Sequence, residues 1–274
     1  SFDAVKEFAL VIPLNLIGDL LGVPLGDREP LLEWAQSILG ALEPSTSSER
    51  TEKGNKAVEE FKAYLQKLVW QKRKSKVRSS NLDVLGALIE ASDKDAKLNE
   101  LEILHNAIFI LNAGHDTTGS LIANGVDLLC RFPAQRALLI HDPTLYKSAI
   151  EEMLRFESPL QIGNRKTTQT VTLGEVKIPA KTFLHLVIAS ANRDEQKFEA
   201  ADQFKIDRNP NHHLAFSHGI HTCAGNSVAR MEATIALKKL IERFPKFTPM
   251  GKTVRSSRAR FRAVESLPLD LMGD

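Results

Sequence analysis

A mainly α-helical chain with a minor β-sheet is what this sequence predicts, and three observations carry the prediction. Apolar residues return every three or four positions through most of the first half. One helical pattern, from Asn99 to Arg131, runs unbroken for more than thirty residues. Between Gln161 and Ser190 that period gives way to alternation rich in β-branched residues, as in Thr170-Val-Thr-Leu and Val176-Lys-Ile.

Taken in order, segments near 13–22, 28–42 and 50–76 read as helices. Gly22-Val-Pro24 separates the first two, and the polar loop Glu43-Pro-Ser-Thr-Ser-Ser48 offers N-cap residues to the third. Asn81 is expected to cap a short helix through Ala91, and Asp93-Lys-Asp-Ala-Lys97 to turn the chain. The long helix opens on Asn99 with Glu102 three residues on, a capping-box arrangement. Its centre, Ala107-Ile-Phe-Ile-Leu111, is strongly apolar and is expected to pass through the core. Two further helices, near 133–141 and 143–156, each carry a first-turn proline, Pro133 and Pro143. The small sheet follows, with a turn at Gly174-Glu175, then an irregular stretch from Asn192 to Phe216. A last long helix spans Asn226 to Phe244, and Phe261-Arg-Ala-Val reads as an edge strand in the tail. With no repeat, low-complexity segment or linker, residues 1–274 read as a single domain.

Composition narrows the function classes. A hydrophobic fraction of 43% beside 26% charged residues is ordinary for a soluble globular protein. A net charge of +2 gives no bulk attraction to nucleic acid or an anionic membrane. The basic run Gln71-Lys-Arg-Lys-Ser-Lys-Val-Arg78 reads as a solvated helix end, because it lacks interleaved aromatics to stack bases. No apolar stretch approaches a membrane span, so a soluble, cytoplasmic protein is expected. Cys130 and Cys223 lie in unlike contexts, which argues against a disulfide and suits a reducing compartment.

Three segments carry chemistry. In Phe216-Ser-His-Gly219-Ile-His221-Thr-Cys223-Ala-Gly225 a lone cysteine sits in a glycine-rich loop just before a long helix. A thiolate is a strong metal ligand and is stabilised at a helix N-terminus, while Gly219 and Gly225 let backbone approach a flat ligand. The plain alternative is a buried structural cysteine. A second metal reading gathers His212, His213, His218, His221 and Cys223 around zinc. In the long helix, Ala113-Gly114-His115-Asp116-Thr117-Thr118 places a glycine where one costs about 1 kcal/mol relative to alanine. An acid and alcohols beside it could disturb the helical hydrogen bonds and open room for a small ligand. Finally, Glu152-Met-Leu-Arg155 sets an acid and a guanidinium on one helix face, ordinarily a surface pair.

In order and spacing, the cysteine loop resembles the ligand loop of the cytochrome P450 superfamily, the haem-thiolate monooxygenases, in its soluble bacterial form. Ala113 to Thr118 is similar to that family's oxygen-activation segment, and Glu152 to Arg155, followed by Phe156-Glu-Ser-Pro159, to its Glu-x-x-Arg helix. The resemblance implies a mainly α fold holding haem b. Cys223 would be the iron ligand, with Phe216, Gly219 and Gly225 shaping its loop, and Arg165 and His221 would meet the propionates. Asp116 and Thr117 would relay protons, Ala113 and Gly114 would leave space over the haem, and His115 could touch the same pocket. Glu152, Arg155 and an arginine from the irregular stretch would lock the segment behind the loop; Arg208 is the candidate and Arg193 the competitor. The implied reaction inserts one oxygen atom from O2 into a small apolar substrate. Electrons would come from a ferredoxin-like or flavoprotein donor docking near the cysteine side. Two other functions stand beside it: a haem-binding protein without turnover, and the zinc protein. Members of the family are longer, and the chain matches them without their N-terminal third, so an incomplete domain with weaker haem retention is expected.

Overall fold

The computed structural model describes residues 2–74, 83–95 and 98–272, and within them helices dominate. The chain divides into two compact units, Asp3–Ser120 and Leu121–Asp274, the second including Ser1–Phe2.

Among the described residues from Val5 on, the first unit is helices and their connections. A π-turn at Val5–Ala9 leads into α1 (Val11–Leu21), followed by α2 (Glu29–Ala41), α3 (Ser48–Lys74), α4 (Val84–Asp95) and the start of α5 (Glu100–Arg131). Its core is one cluster that includes Ile17, Leu21, Leu31, Ile38, Phe61, Leu65, Leu85, Ile103, Leu104 and Leu111, with the Trp34 ring stacked 5.0 Å from Phe61. Burial of such side chains supplies roughly 1.5–3 kcal/mol each, which is what holds five helices together without a sheet. Two expectations change here. Asn81 lies outside the described residues, and the N-terminus of α4 is capped by Asp83, whose Oδ1 accepts from the Gly86 amide at 2.8 Å. The turn expected at 93–97 is still helix through Asp95, and residues 96–97, like 75–78 of the basic run, lie outside the described set. The capping box of α5 forms as read: Asn99 Oδ1 accepts from the Glu102 amide at 2.9 Å, and Glu102 Oε2 from the Asn99 amide at 2.7 Å.

The second unit takes the remainder of α5, then α6 (Pro133–His141) and α7 (Tyr146–Phe156). Pro143 opens a separate 3-10 turn before α7, capped by Asp142. The β region is two hairpin-like pairs rather than one sheet. β2 (Ile162–Lys166) runs antiparallel to β5 (Phe183–Val187), and β3 (Val171–Leu173) to β4 (Val176–Ile178). A single turn, α8 (Ile188–Ala191), precedes the irregular stretch, and α9 (Asn226–Arg243) follows the cysteine loop. In the tail, β6 (Thr248–Pro249) and β1 (Phe2–Asp3) flank β9 (Pro268–Asp270), while β7 (Val254–Arg255) pairs with β8 (Val264–Ser266). Phe261 makes only an isolated bridge to Leu160, so the edge strand starts later than expected, at Val264. Among the described residues no helix is long and apolar enough to cross a membrane.

Candidate functional site

The cysteine loop is built on α7. Both members of the Glu-x-x-Arg pair are buried, Glu152 and Arg155 each with 0% of the side chain exposed. Glu152 receives Nε and Nη2 of Arg155 at 2.8 Å each, Nε of Arg208 at 3.0 Å, the Lys205 amide at 2.9 Å and Asn211 Nδ2 at 3.1 Å. Arg155 spends its other hydrogens on the carbonyls of Asn192, Ala201 and Gln203, at 2.8–3.1 Å. The expected surface pair is therefore a dry lock, in which every charge meets several partners; a buried pair is tolerated only when satisfied in this way. Arg208, not Arg193, reaches Glu152. Arg193 instead donates to the Phe156 carbonyl at 2.7 Å and lies over the Phe156 ring at 3.5 Å.

Asn192, which sequence reasoning passed over, extends the lock toward the loop. Its side chain donates to Ser158 Oγ at 2.8 Å and accepts from the Leu214 amide at 2.7 Å. An asparagine one residue before an arginine in an irregular stretch carries no signal for that role.

Beyond Leu214 the chain turns sharply. Ser217 adopts φ 61° and Gly219 φ 77°, left-handed conformations that favour glycine and cost a serine about 1 kcal/mol or more. The Cys223 amide returns to the Phe216 carbonyl at 3.0 Å, closing the loop, and α9 begins three residues later. Cys223 is exposed and free of any disulfide, which overturns the buried structural cysteine. Gly225 is the N-cap of α9, and nothing lies within 4 Å of where a side chain would start at Gly219 or Gly225. Phe216 packs under Arg230, whose guanidinium stands 4.5 Å from the ring centroid. Arg165, on β2, donates to Ser217 Oγ at 3.2 Å, so the strand and the loop are joined at this residue. His221 ends a 3-10 turn and is exposed. Cys130, by contrast, is partly buried on α5, and burial pushes its thiol up to about 12.

The zinc reading fails. Among the described residues no group of three or more His, Cys, Asp or Glu side chains converges on a metal position. His213 points to Glu151 at 3.0 Å, whereas His212, His218 and His221 are exposed.

Ala113 to Thr118 lies in the first unit. α5 passes through it as uninterrupted helix, so the expected disturbance is absent; Thr117 Oγ1 donates back to the Ala113 carbonyl at 2.7 Å, a bond that leaves the helical ladder in place. Ala113 is exposed, and four residues before it Phe109 is 69% exposed, so Phe109, Ala113 and Thr117 lie along one open face of the helix. Gly114 has a local reason to be glycine: a methyl there would collide with Ile17 Cδ1 of α1. His115 is fully buried, its ring meeting the Leu10 backbone without a well-formed hydrogen bond. Burial holds it below the ordinary histidine range against the pull of the Asp116 carboxylate, and it lies on the core side rather than on the open face. Asp116 is 4% exposed.

One exposed thiol before a helix start, a strand guanidinium hydrogen-bonded to the same loop and an exposed imidazole two residues from the sulfur form a donor set for iron and for carboxylates on a macrocycle. These residues fit haem. The chain belongs to the cytochrome P450 family, haem-thiolate oxidoreductases whose cofactor is haem b: the family model described as Cytochrome P450 matches residues 42–142 and 139–267. Among curated proteins it is 37% identical over 270 residues to a biotin biosynthesis cytochrome P450 of Bacillus subtilis, covering 98% of this chain and 67% of that protein. Among solved structures it matches P450BioI, in complex with hexadec-9Z-enoic acid ligated acyl carrier protein, with a TM-score of 0.93 and 34% identity over 98% of this chain and 69% of that one. CYP109E1 from Bacillus megaterium, in complex with testosterone, gives a TM-score of 0.87 and 32% identity over 98% and 72%. The chain thus spans about two thirds of the length of the curated relatives it matches.

Proposed function

We propose that this chain carries the haem-thiolate centre of a monooxygenase that inserts one oxygen atom from O2 into a small apolar organic substrate. The single observation that carries the reading is Cys223: exposed, unpaired and held at the start of α9 by a loop closed on Phe216. Its thiolate would ligate the iron, Arg165 and His221 would hold the two carboxylates, and Phe216, Gly219 and Gly225 would shape the loop. Bound haem supplies the electron-transfer and oxygen chemistry, and a thiolate ligand favours O–O cleavage.

The rest falls to side chains. Thr117 presents a hydroxyl on the open face of α5, where it hands a proton onward, with Asp116 next in line to resupply it. Ala113 and Gly114 keep that face low. The exposed Phe109 and Ala113 favour an apolar substrate, and the ligands named for the solved relatives, a fatty acyl chain and a steroid, are apolar too. Electrons come from a ferredoxin-like or flavoprotein donor. A cytoplasmic location goes with this reading, since a reducing compartment keeps Cys223 available.

The reduced, carbon monoxide-bound spectrum of the haem-loaded protein tests the assignment. The expected result is the red-shifted Soret band of thiolate-ligated haem, lost in Cys223→Ser. A wild-type protein without that band, or a Cys223→Ser protein that keeps it, overturns the reading.

A further inference from the structure

A second carboxylate on α7 holds the cysteine loop at both ends. Glu151 takes Nε of Arg230 on Oε1 at 2.6 Å and Nη2 of Arg230 on Oε2 at 2.9 Å, a bidentate pair between α7 and α9. Arg230 passes its remaining fork to Asn226, donating from Nη1 to Oδ1 at 2.8 Å. Asn226 Nδ2 in turn donates to the Cys223 carbonyl at 2.6 Å. In the other direction, Glu151 Oε2 faces His213 Nε2 at 3.0 Å, while His213 Nδ1 accepts from the Ala215 amide at 3.2 Å. Because Nδ1 accepts, the proton sits on Nε2 and points at the carboxylate. The two branches meet where the Cys223 amide bonds the Phe216 carbonyl, and Phe216 itself is covered by Arg230.

We propose that Glu151, Arg230 and His213 form a positioning clamp that fixes the orientation of Cys223, separate from the Glu152 lock. This rests on the reading of Cys223 as the haem ligand. The connection is closed: from Glu151 through Arg230 and Asn226 to Cys223, back across the loop to Phe216, and through Ala215 and His213 to Glu151. Charge-assisted, bidentate bonds are the strong class of hydrogen bond; here the Glu151–Arg230 pair anchors a ring closed by single bonds, which leaves the loop few alternative positions. Cys223 then presents its sulfur in one direction, which is what a ligand bond of fixed geometry needs.

Glu151→Gln keeps the shape and removes the charge, and Arg230→Lys keeps the charge and removes the fork. In protein without haem, each is expected to speed hydrogen exchange at the Ala215 and Cys223 amides about tenfold, the loss typical of one charge-assisted bond. The Lys205 amide, bound to Glu152, should be unchanged. With haem, both variants should shift the reduction potential and move part of the carbon monoxide spectrum to the shorter-wavelength band of haem that has lost its thiolate. If Glu151→Gln fails to fold, Arg230→Lys makes the same test. Unchanged exchange and potential beside a normal wild-type spectrum would overturn the clamp alone. A wild-type protein without the thiolate band would overturn the functional reading of Cys223 and, with it, the role given to the clamp.

Discussion

Glu151 and Glu152 are neighbours on one helix, yet they hold different parts of the chain. Successive helical residues point about 100° apart, so two adjacent carboxylates serve two directions. Glu152 is 0% exposed and gathers Arg155, Arg208, Asn211 and a backbone amide; Glu151 is 21% exposed and binds Arg230 and His213. The first organises backbone, since the carbonyls of Asn192, Ala201 and Gln203 all hang on its partner Arg155. The second organises the loop that carries the cysteine. Burial separates their weights: a fully desolvated pair is costly to break, while a partly exposed one is partly replaced by water.

The largest effect should come from breaking the dry lock. Arg155→Gln leaves Glu152 charged and short of its main partner, and is expected to cost about 3–5 kcal/mol of stability in urea denaturation. A loss below about 1 kcal/mol would show that the two carboxylates do not differ as argued.

A third carboxylate sharpens the contrast because it lacks such partners. Glu232 on α9 is 8% exposed, its Oε1 has no hydrogen bond, and burial pushes it up to about 7 from the ordinary 4.5. Between those values the folded protein keeps a proton that the unfolded chain has lost, so stability falls as pH rises from 4.5 to 7. Glu232→Gln should remove that slope and stabilise the protein by about 2–3 kcal/mol near neutral-to-alkaline pH, with little change in acid. A pH series of thermal melts in which the two proteins run parallel would contradict it.

Glu151 should show the opposite sign. Burial alone would raise its pKa, but the hydrogen bonds from His213 and Arg230, with the Arg230 charge, hold it down at about 2. Its contribution is complete above the ordinary value of 4.5 and is lost as pH falls through about 2. Glu151→Gln should therefore flatten acid unfolding in that window, by about 1–2 kcal/mol after solvent screening is allowed for. Coincident acid transitions for the two proteins would refute the assignment.

The smallest effect belongs to a fully solvated pair. Lys53 and Glu33 stand 3.6 Å apart with 63% and 74% of their side chains exposed. Lys53→Ala is expected to move the urea midpoint by less than the error of its measurement. A clear shift would mean that exposure is a poor guide to the ranking of Glu152 over Glu151.

Much of the fold was legible because helices advertise themselves locally. The capping box at Asn99 and Glu102, the apolar centre of α5 and the first-turn proline of α6 each follow from residues a few positions apart. The misreadings share a cause. The turn expected at Asp93 lost to helix continuation through Asp95, and the polar segment at Asp116 and Thr117 lost to a hydroxyl bond that left the ladder intact. At the site, short motifs in the sequence singled out Cys223, Glu152 and Arg155, and the family resemblance implied Arg165. It was silent on Glu151, Asn192, Asn226 and Arg230, whose partners lie up to 79 positions away.

The sequence by itself determined the mainly helical class, the lone thiol before a helix and the Glu-x-x-Arg pair, since each is written in short-range order. Only the tertiary structure decided that Arg208 rather than Arg193 closes on Glu152, that His115 is buried while Ala113 is open, and that Glu151 faces the cysteine loop. Those choices depend on which side chains meet across long loops, where burial and hydrogen-bond satisfaction select one partner among several of like charge.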